Sequence, residues 1–152
     1  MQRNLLIGLA AFGSLALLLG AFAFQHLGGL APCKLCLWQR WPHAAALVIA
    51  CAAVAVRGRL FPALGLLAAL STAALGFYHT GVERGWWEGP ATCSATGGEG
   101  LSDADFFDRI VTAPVVRCDE VAWDLLGLSM ASWNALAALG LALLWYLALR
   151  KS

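Results

Sequence analysis

The chain has 152 residues, 61% of them hydrophobic and 12% charged, with 10 basic against 9 acidic side chains. A water-soluble domain carries about 25% charged residues, so this chain cannot cover its own surface with polar groups, and the bilayer is its expected solvent. Near-neutral charge without a basic run excludes nucleic acid as a partner.

The first predicted element is an apolar span at about Leu5 to Phe24, matching the roughly 20 helical residues that cross a bilayer core. Its alternative is a cleaved signal peptide, with Arg3 before the apolar run and Ala21, Phe22 and Ala23 as the small-residue site. The run exceeds the roughly 7 to 15 residues of a signal core, and three further spans follow, so a retained helix is expected.

The connection Gln25 to Arg40 contains Ala31-Pro32-Cys33-Lys34-Leu35-Cys36-Leu37-Trp38-Gln39-Arg40. The second apolar run, Trp41 to Val56, is short. It reaches spanning length only if its helix begins near Cys36, giving a span of about 36 to 56 with Gln39 and Arg40 in its first turns. A thiolate at a helix N-terminus is stabilised by exposed backbone amides and nearby cations. Cys36 and Arg40, four positions apart, then share one helix face, which favours a thiolate at Cys36 able to donate electrons to a flat, lipid-dissolved acceptor. Structural disulfides and zinc sites share the Cys-x-x-Cys spacing. Zinc usually takes four closed ligands, often from two such pairs, and the remaining outer cysteines are 25 positions apart, so no metal is expected. Cys51, mid-span, reads as a small buried apolar residue.

A third span follows at about Leu60 to Tyr78. The long connection His79 to Ser129 holds Cys93 and Cys118, which bracket a predicted short helix. Ser102 caps it, Asp105 makes a capping-box variant, Leu101 and Phe106 have staple spacing, and Pro114 ends it. Phe106, Phe107, Ile110 and Val111 form an apolar side, so the helix is expected to lie on the membrane surface, or else to pack as a cap on the loop. Either way the second cysteine pair would sit on a loop that a soluble protein can approach. A permanent structural disulfide is the other reading of that pair. The last span is expected at about Met130 to Leu149.

All acidic residues lie between Glu83 and Asp124, whereas Arg3, Arg57 with Arg59, and Arg150 with Lys151 flank the other ends of the spans. By the positive-inside rule both termini are cytoplasmic and the connections 25–40 and 79–129 are outside. Trp38, Trp41, Trp86, Trp87 and Trp133 then mark the outer interface, and Trp145 with Tyr146 the inner one. With no internal repeat or linker, residues 1–152 read as one all-α membrane domain: a four-helix transmembrane bundle with a long periplasmic loop carrying a short interfacial helix.

Several stretches together resemble the bacterial disulfide bond formation protein B family, DsbB. They are Phe24-Gln25-His26, Pro32-Cys33-x-x-Cys36 with Gln39-Arg40, Tyr78-His79-Thr80, Gly89-Pro90-x-x-Cys93, Arg117-Cys118-Asp119, and Trp123-Asp124-Leu125-Leu126-Gly127-Leu128-Ser129-Met130. The resemblance covers nearly the whole chain except the segment around Gly97, Gly98 and Gly100. It implies a quinone-dependent thiol oxidoreductase of the inner membrane that reoxidises a periplasmic DsbA-like, thioredoxin-fold dithiol. Cys93 would form a mixed disulfide with that partner and Cys118 would exchange with Cys33. Cys36 beside Arg40 would pass two electrons to ubiquinone or menaquinone, and His79 would hydrogen-bond a quinone carbonyl. Two alternatives compete: a vitamin K epoxide reductase-like enzyme, whose Cys-x-x-Cys sits near the last helix, and a non-enzymatic tetraspan protein with structural disulfides.

Overall fold

The apolar runs fold as helices in the computed structural model, which describes residues 2–90, 93 and 116–152. In chain order they are α1 (Gln2–His26), α2 (Lys34–Ala55), α3 (Leu60–Glu83) and α4 (Met130–Arg150). A short antiparallel hairpin, β1 (Asp124–Leu125) with β2 (Leu128–Ser129), leads into α4. The expected helix between Ser102 and Pro114 falls outside the described residues. Helices α1, α3 and α4 are long and apolar enough to cross a membrane. Helix α2 is of similar length but carries Lys34, Gln39, Arg40 and His43 in its first three turns.

Packing runs α1 to α2, α2 to α3, α3 to α4 and α4 back to α1, which closes the bundle. The buried stripes recur at helical spacing and are made of small residues: Gly65, Ala69, Thr72, Ala73 and Gly76 on α3, and Ala131, Ala135, Ala138 and Ala142 on α4. Lipid tails are as apolar as leucine, so helices in a bilayer gain by close approach rather than by removing apolar surface from water, and small residues allow that approach. The large side chains face outward instead, as with Leu5, Phe12 and Leu19 on α1 and Leu136, Leu139 and Leu143 on α4.

Two expectations are corrected here. Trp145 is not an interfacial belt residue: it is fully buried, because Gly65 of α3 leaves room where any Cβ would collide with the indole. Cys51 is exposed on the outer surface of α2, since that helix turns Ala46, Ala50 and Ala53 inward.

One end of the bundle is tied by Arg3. Its guanidinium donates to the carbonyls of Ala53 (2.8 Å), Val56 (3.3 Å) and Gly58 (3.4 Å) where α2 ends, and to Ser152 Oγ (3.0 Å) beyond α4. Helix-terminal carbonyls lack intrahelical partners, so a cation is favoured there. The basic clusters therefore gather at this end, opposite the cysteine pairs.

Candidate thiol and acceptor site

Proline removes a helix donor and restrains the residue before it, and α2 starts just after Pro32 with Cys33 as its N-cap. Cys33 Sγ accepts from the Cys36 amide (3.1 Å) and donates to Cys36 Sγ at 2.7 Å. The helix thus begins at the Cys-x-x-Cys motif, capped by one of its own cysteines. The hydrogen bond to Cys36, together with burial, pushes the Cys33 thiol well above the ordinary range. Of the two, Cys33 is the sulfur that holds its proton.

The second pair reaches the same place through a chain reversal after α3. Gly85, with φ of 67°, ends the helix in the left-handed region that glycine tolerates. Trp87 then stacks on Tyr78 (5.9 Å between ring centroids), fills the space over Gly81 and donates from Nε1 to the Tyr78 carbonyl (2.8 Å). The Tyr78 hydroxyl secures the turn by donating to Glu88 O (3.0 Å), and the Cys93 amide donates to Pro90 O (2.7 Å). Cys93 and Cys118 are disulfide-bonded, and the Cys118 amide donates to Cys93 O (3.2 Å). Cys33, Leu35, Val82, Cys93 and Cys118 form one buried cluster, with Cys36, Tyr78 and Val116 packed against it. All four outer cysteines therefore meet at one end of the bundle.

This arrangement corrects a further expectation. Cys93 and Cys118 do not stand open on a loop: they are 5% and 0% exposed, because the disulfide and Val116 are apolar and bury against the ends of α2 and α3. Beside them, Arg117 and Asp119 make an exposed two-contact ion pair (2.6 and 3.0 Å). The guanidinium holds the Asp119 carboxyl below its usual range.

Below the cluster lies a cavity of about 320 Å³ between α1, α2, α3 and α4. Leu17, Ala21, Phe24, Trp123 and Met130 make its apolar walls, and Cys36, Arg40, His43, His79 and Asn134 line it as well. The hairpin borders it through Leu125. Leu126 and Gly127 both have positive φ (55° and 75°), the pattern of a two-residue turn matched to strand twist. Trp133 Nε1 donates to Leu125 O (3.1 Å), and Trp123 packs on Phe24 (5.1 Å). Arg40, one helical turn beyond Cys36, is anchored to α1: it donates to Gln25 Oε1 (2.6 Å) and Ala21 O (3.4 Å) and lies 5.0 Å over the Phe22 ring.

His79 is buried between the two cysteine pairs and this cavity, with Nε2 3.5 Å from Cys33 Sγ and 3.8 Å from Glu83 Oε1. Cys33, Cys36 and His79 bring three metal-ligand atoms within 4.8 Å of one another. Two sulfurs on one tetrahedral zinc stand roughly 3.8 Å apart, from Zn–S bonds of about 2.3 Å. The observed 2.7 Å between Cys33 Sγ and Cys36 Sγ is shorter than that separation.

Sequence reasoning quoted Gln39 without giving it a role and passed over His43, Thr72, Asn134 and Ser14; the five are hydrogen-bonded in one network inside the bundle. A signal was available: polar side chains within an apolar span are costly unless partnered, so each of these positions calls for a partner on another helix.

The sequence profile of a family described as Disulfide bond formation protein DsbB matches residues 3–148. A Disulfide bond formation protein B from Polaromonas sp. (strain JS666) is 31% identical over 172 residues, covering 99% of this chain and 95% of that protein. Proteins of the same name from Verminephrobacter eiseniae (33% identical; 93% of this chain, 84% of that protein) and Methylococcus capsulatus (34%; 83% and 81%) are also similar. No solved structure matches the chain.

Proposed function

Because the chain belongs to the DsbB family, and is on that ground a mostly helical membrane protein of disulfide-bond formation, we propose that it is a thiol:quinone oxidoreductase that reoxidises a DsbA-like dithiol partner. The observation that carries this reading is the convergence of Cys33, Cys93 and Cys118 in one buried cluster while Cys36 lines the adjoining apolar cavity. One pair can exchange with the other without leaving the bundle, and only the first pair touches a space suited to a flat apolar molecule.

In the relay, a partner dithiol gives two electrons and two protons to the Cys93–Cys118 disulfide, which opens through a mixed disulfide at Cys93. A Cys118 thiolate then attacks Cys33 of an oxidised Cys33–Cys36 pair, releasing Cys36. The Cys93–Cys118 bond reforms, leaving Cys33 and Cys36 as a dithiol. Attack requires a thiolate and a sulfur within reach, which the shared cluster supplies. When the Cys33–Cys36 bond closes again, two electrons and two protons leave through Cys36.

A quinone held in the cavity supplies the acceptor for those electrons and protons. The cavity fits such a molecule: its volume is that of a small-ligand site, its walls are apolar, and the Arg40 guanidinium and the His79 imidazole offer donors to acceptor-only oxygens. Leu5 to Phe24, Cys36 to Val56, Leu60 to Tyr78 and Met130 to Leu149 are the four spans in this reading, and residues 1–152 form one domain. The membrane is the bacterial inner membrane, with the basic end cytoplasmic and the cysteine end periplasmic.

Thiol trapping in cells with and without quinone tests the reading. Cys33 and Cys36 should accumulate as free thiols when quinone is absent and return to the disulfide when it is restored. Disulfides that ignore the acceptor would be structural and would overturn it.

A further inference from the structure

We propose that Gln39 and Asn134 are positioning residues that lock His79 into its Nε2–H tautomer, so that the imidazole faces the Cys33 sulfur and the adjoining cavity as a hydrogen-bond donor. The consequence for catalysis rests on the thiol chemistry proposed above, whereas the tautomer itself is set by hydrogen-bond geometry alone.

The direction of every hydrogen bond in the buried network follows from main-chain carbonyls, which only accept. Gln39 places one amide atom 3.2 Å from Leu35 O, so that atom is the nitrogen, and the same nitrogen lies 3.0 Å from His79 Nδ1. Nδ1 must then accept. A neutral imidazole carries one proton, so it resides on Nε2. The neighbours of Nε2 agree: the Cys33 thiol directs its own proton to Cys36 Sγ and so presents lone pairs to Nε2 at 3.5 Å, and Glu83 Oε1 at 3.8 Å is an acceptor when ionised, so a bare nitrogen there would set lone pairs against lone pairs.

Asn134 keeps Gln39 from turning over. The Thr72 hydroxyl donates to Gln39 O (3.0 Å), which again can only accept, so Thr72 Oγ1 accepts from Asn134 Nδ2 (3.2 Å). The same Nδ2 donates to Gln39 Oε1 at 2.8 Å. Asn134 Oδ1 is left as the acceptor for His43 Nε2 (3.0 Å), and His43 Nδ1 meets Ser14 Oγ (3.3 Å). The chain of bonds thus crosses all four helices, with Ser14, His43, Gln39, Thr72 and His79 buried. It has one consistent polarity, ending at the sulfur. Flipping the Gln39 amide would oppose oxygen to Leu35 O and nitrogen to nitrogen at Asn134, a double mismatch in a buried site.

The functional consequence is that His79 cannot take the Cys33 proton at Nε2, which already carries one, whereas it can donate from Nε2 to a thiolate or to a carbonyl oxygen in the cavity.

Long-range proton–nitrogen correlation on the full-length, reduced, ¹⁵N-histidine-labelled protein in nanodiscs reads the tautomer directly. His79 should show a bare Nδ1 and a protonated Nε2, assigned by loss of the signals in His79→Phe. In Gln39→Glu, measured at a pH where the introduced carboxyl is ionised, that side chain can only accept, so the proton should move to Nδ1, and in Asn134→Leu a mixture should appear. A side chain that merely supported the fold would leave the tautomer alone. Wild-type protein protonated at Nδ1, or Gln39→Glu still protonated at Nε2, overturns the proposal, and the first of these depends on neither the Gln39 nor the Asn134 variant. Oxidation of the Cys33–Cys36 dithiol by a short-chain ubiquinone analogue is measured alongside, with a loss of about tenfold expected in Gln39→Glu, the worth of one ordinary hydrogen bond. The expected tautomers in a protein that no quinone oxidises support the positioning while removing the quinone reading. The opposite pattern removes the positioning alone.

Discussion

Replacing Gly76 with alanine tests whether the close contact of α3 and α4 beneath the site governs both stability and chemistry. A Cβ there would stand 2.9 Å from Ala131 O and 3.1 Å from Ala135 Cβ and Ala135 N. Carbon contacts are most favourable at about 3.5–4.0 Å, and main-chain atoms of α4 cannot rotate aside, so the helices must part by roughly 0.5–1 Å. Overpacking of this kind costs about 1–3 kcal/mol, and the gain from alanine over glycine in a helix offsets about 0.5–1 kcal/mol. The net is a destabilisation of about 1 kcal/mol. At Gly140, also on α4, a Cβ meets nothing within 4 Å. Gly140→Ala should therefore be stabilising by about 0.5–1 kcal/mol, and the two variants should differ by about 2 kcal/mol with opposite signs. The start of α4 also carries Ala131, which lines the cavity, and Asn134, which bonds Gln39 and Thr72. A misplacement of positioning groups by about 1 Å can lower a rate about 100-fold, so Gly76→Ala should lose at least about tenfold in quinone-linked thiol oxidation. Unfolding in SDS-containing mixed micelles, followed by tryptophan fluorescence, gives the stability comparison. Gly76→Ala as stable as Gly140→Ala, with wild-type turnover, would refute the reasoning.

Arg40→Gln should raise the apparent KM for quinone several-fold while the protein still inserts, and unchanged quinone kinetics would remove Arg40 from the site. In Cys118→Ala, Cys93 loses its resolving partner, so an adduct with a DsbA-like protein should accumulate through Cys93; an adduct through Cys33 or Cys36, with the loop pair dispensable, would make the loop disulfide structural. For Cys33 the sign with pH is set by its raised pKa. The fold favours the protonated thiol, so this stabilisation is present below the ordinary thiol value of about 8.5 and is lost only as pH climbs through the raised value. The initial rate of Cys33 alkylation by iodoacetamide should accordingly keep rising about tenfold per pH unit beyond that ordinary value, and a plateau there would contradict it.

The sequence by itself determined the number and approximate extent of the four long helices among the described residues, because a bilayer solvent demands long apolar runs and Arg3, Arg57, Arg59, Arg150 and Lys151 punctuate them. It also determined that α2 must start at the Cys-x-x-Cys motif to be long enough, as it does with Cys33 for its cap. The membership of the family was legible in the order of short motifs, none of which suffices alone. What the tertiary structure decided is the rotation of each helix about its axis. In water an amphipathic pattern announces the buried face, but here core and lipid are equally apolar, so Trp145, Cys51 and the small-residue stripes gave no sign of which way they point. The same rotation brings Ser14, Gln39, His43, Thr72, His79 and Asn134, scattered over four helices, into one hydrogen-bonded chain. It also buries Cys93 and Cys118 against Cys33. Contacts between residues so far apart in the chain arise only when the helices close around a common axis, and no local pattern in the sequence encodes them.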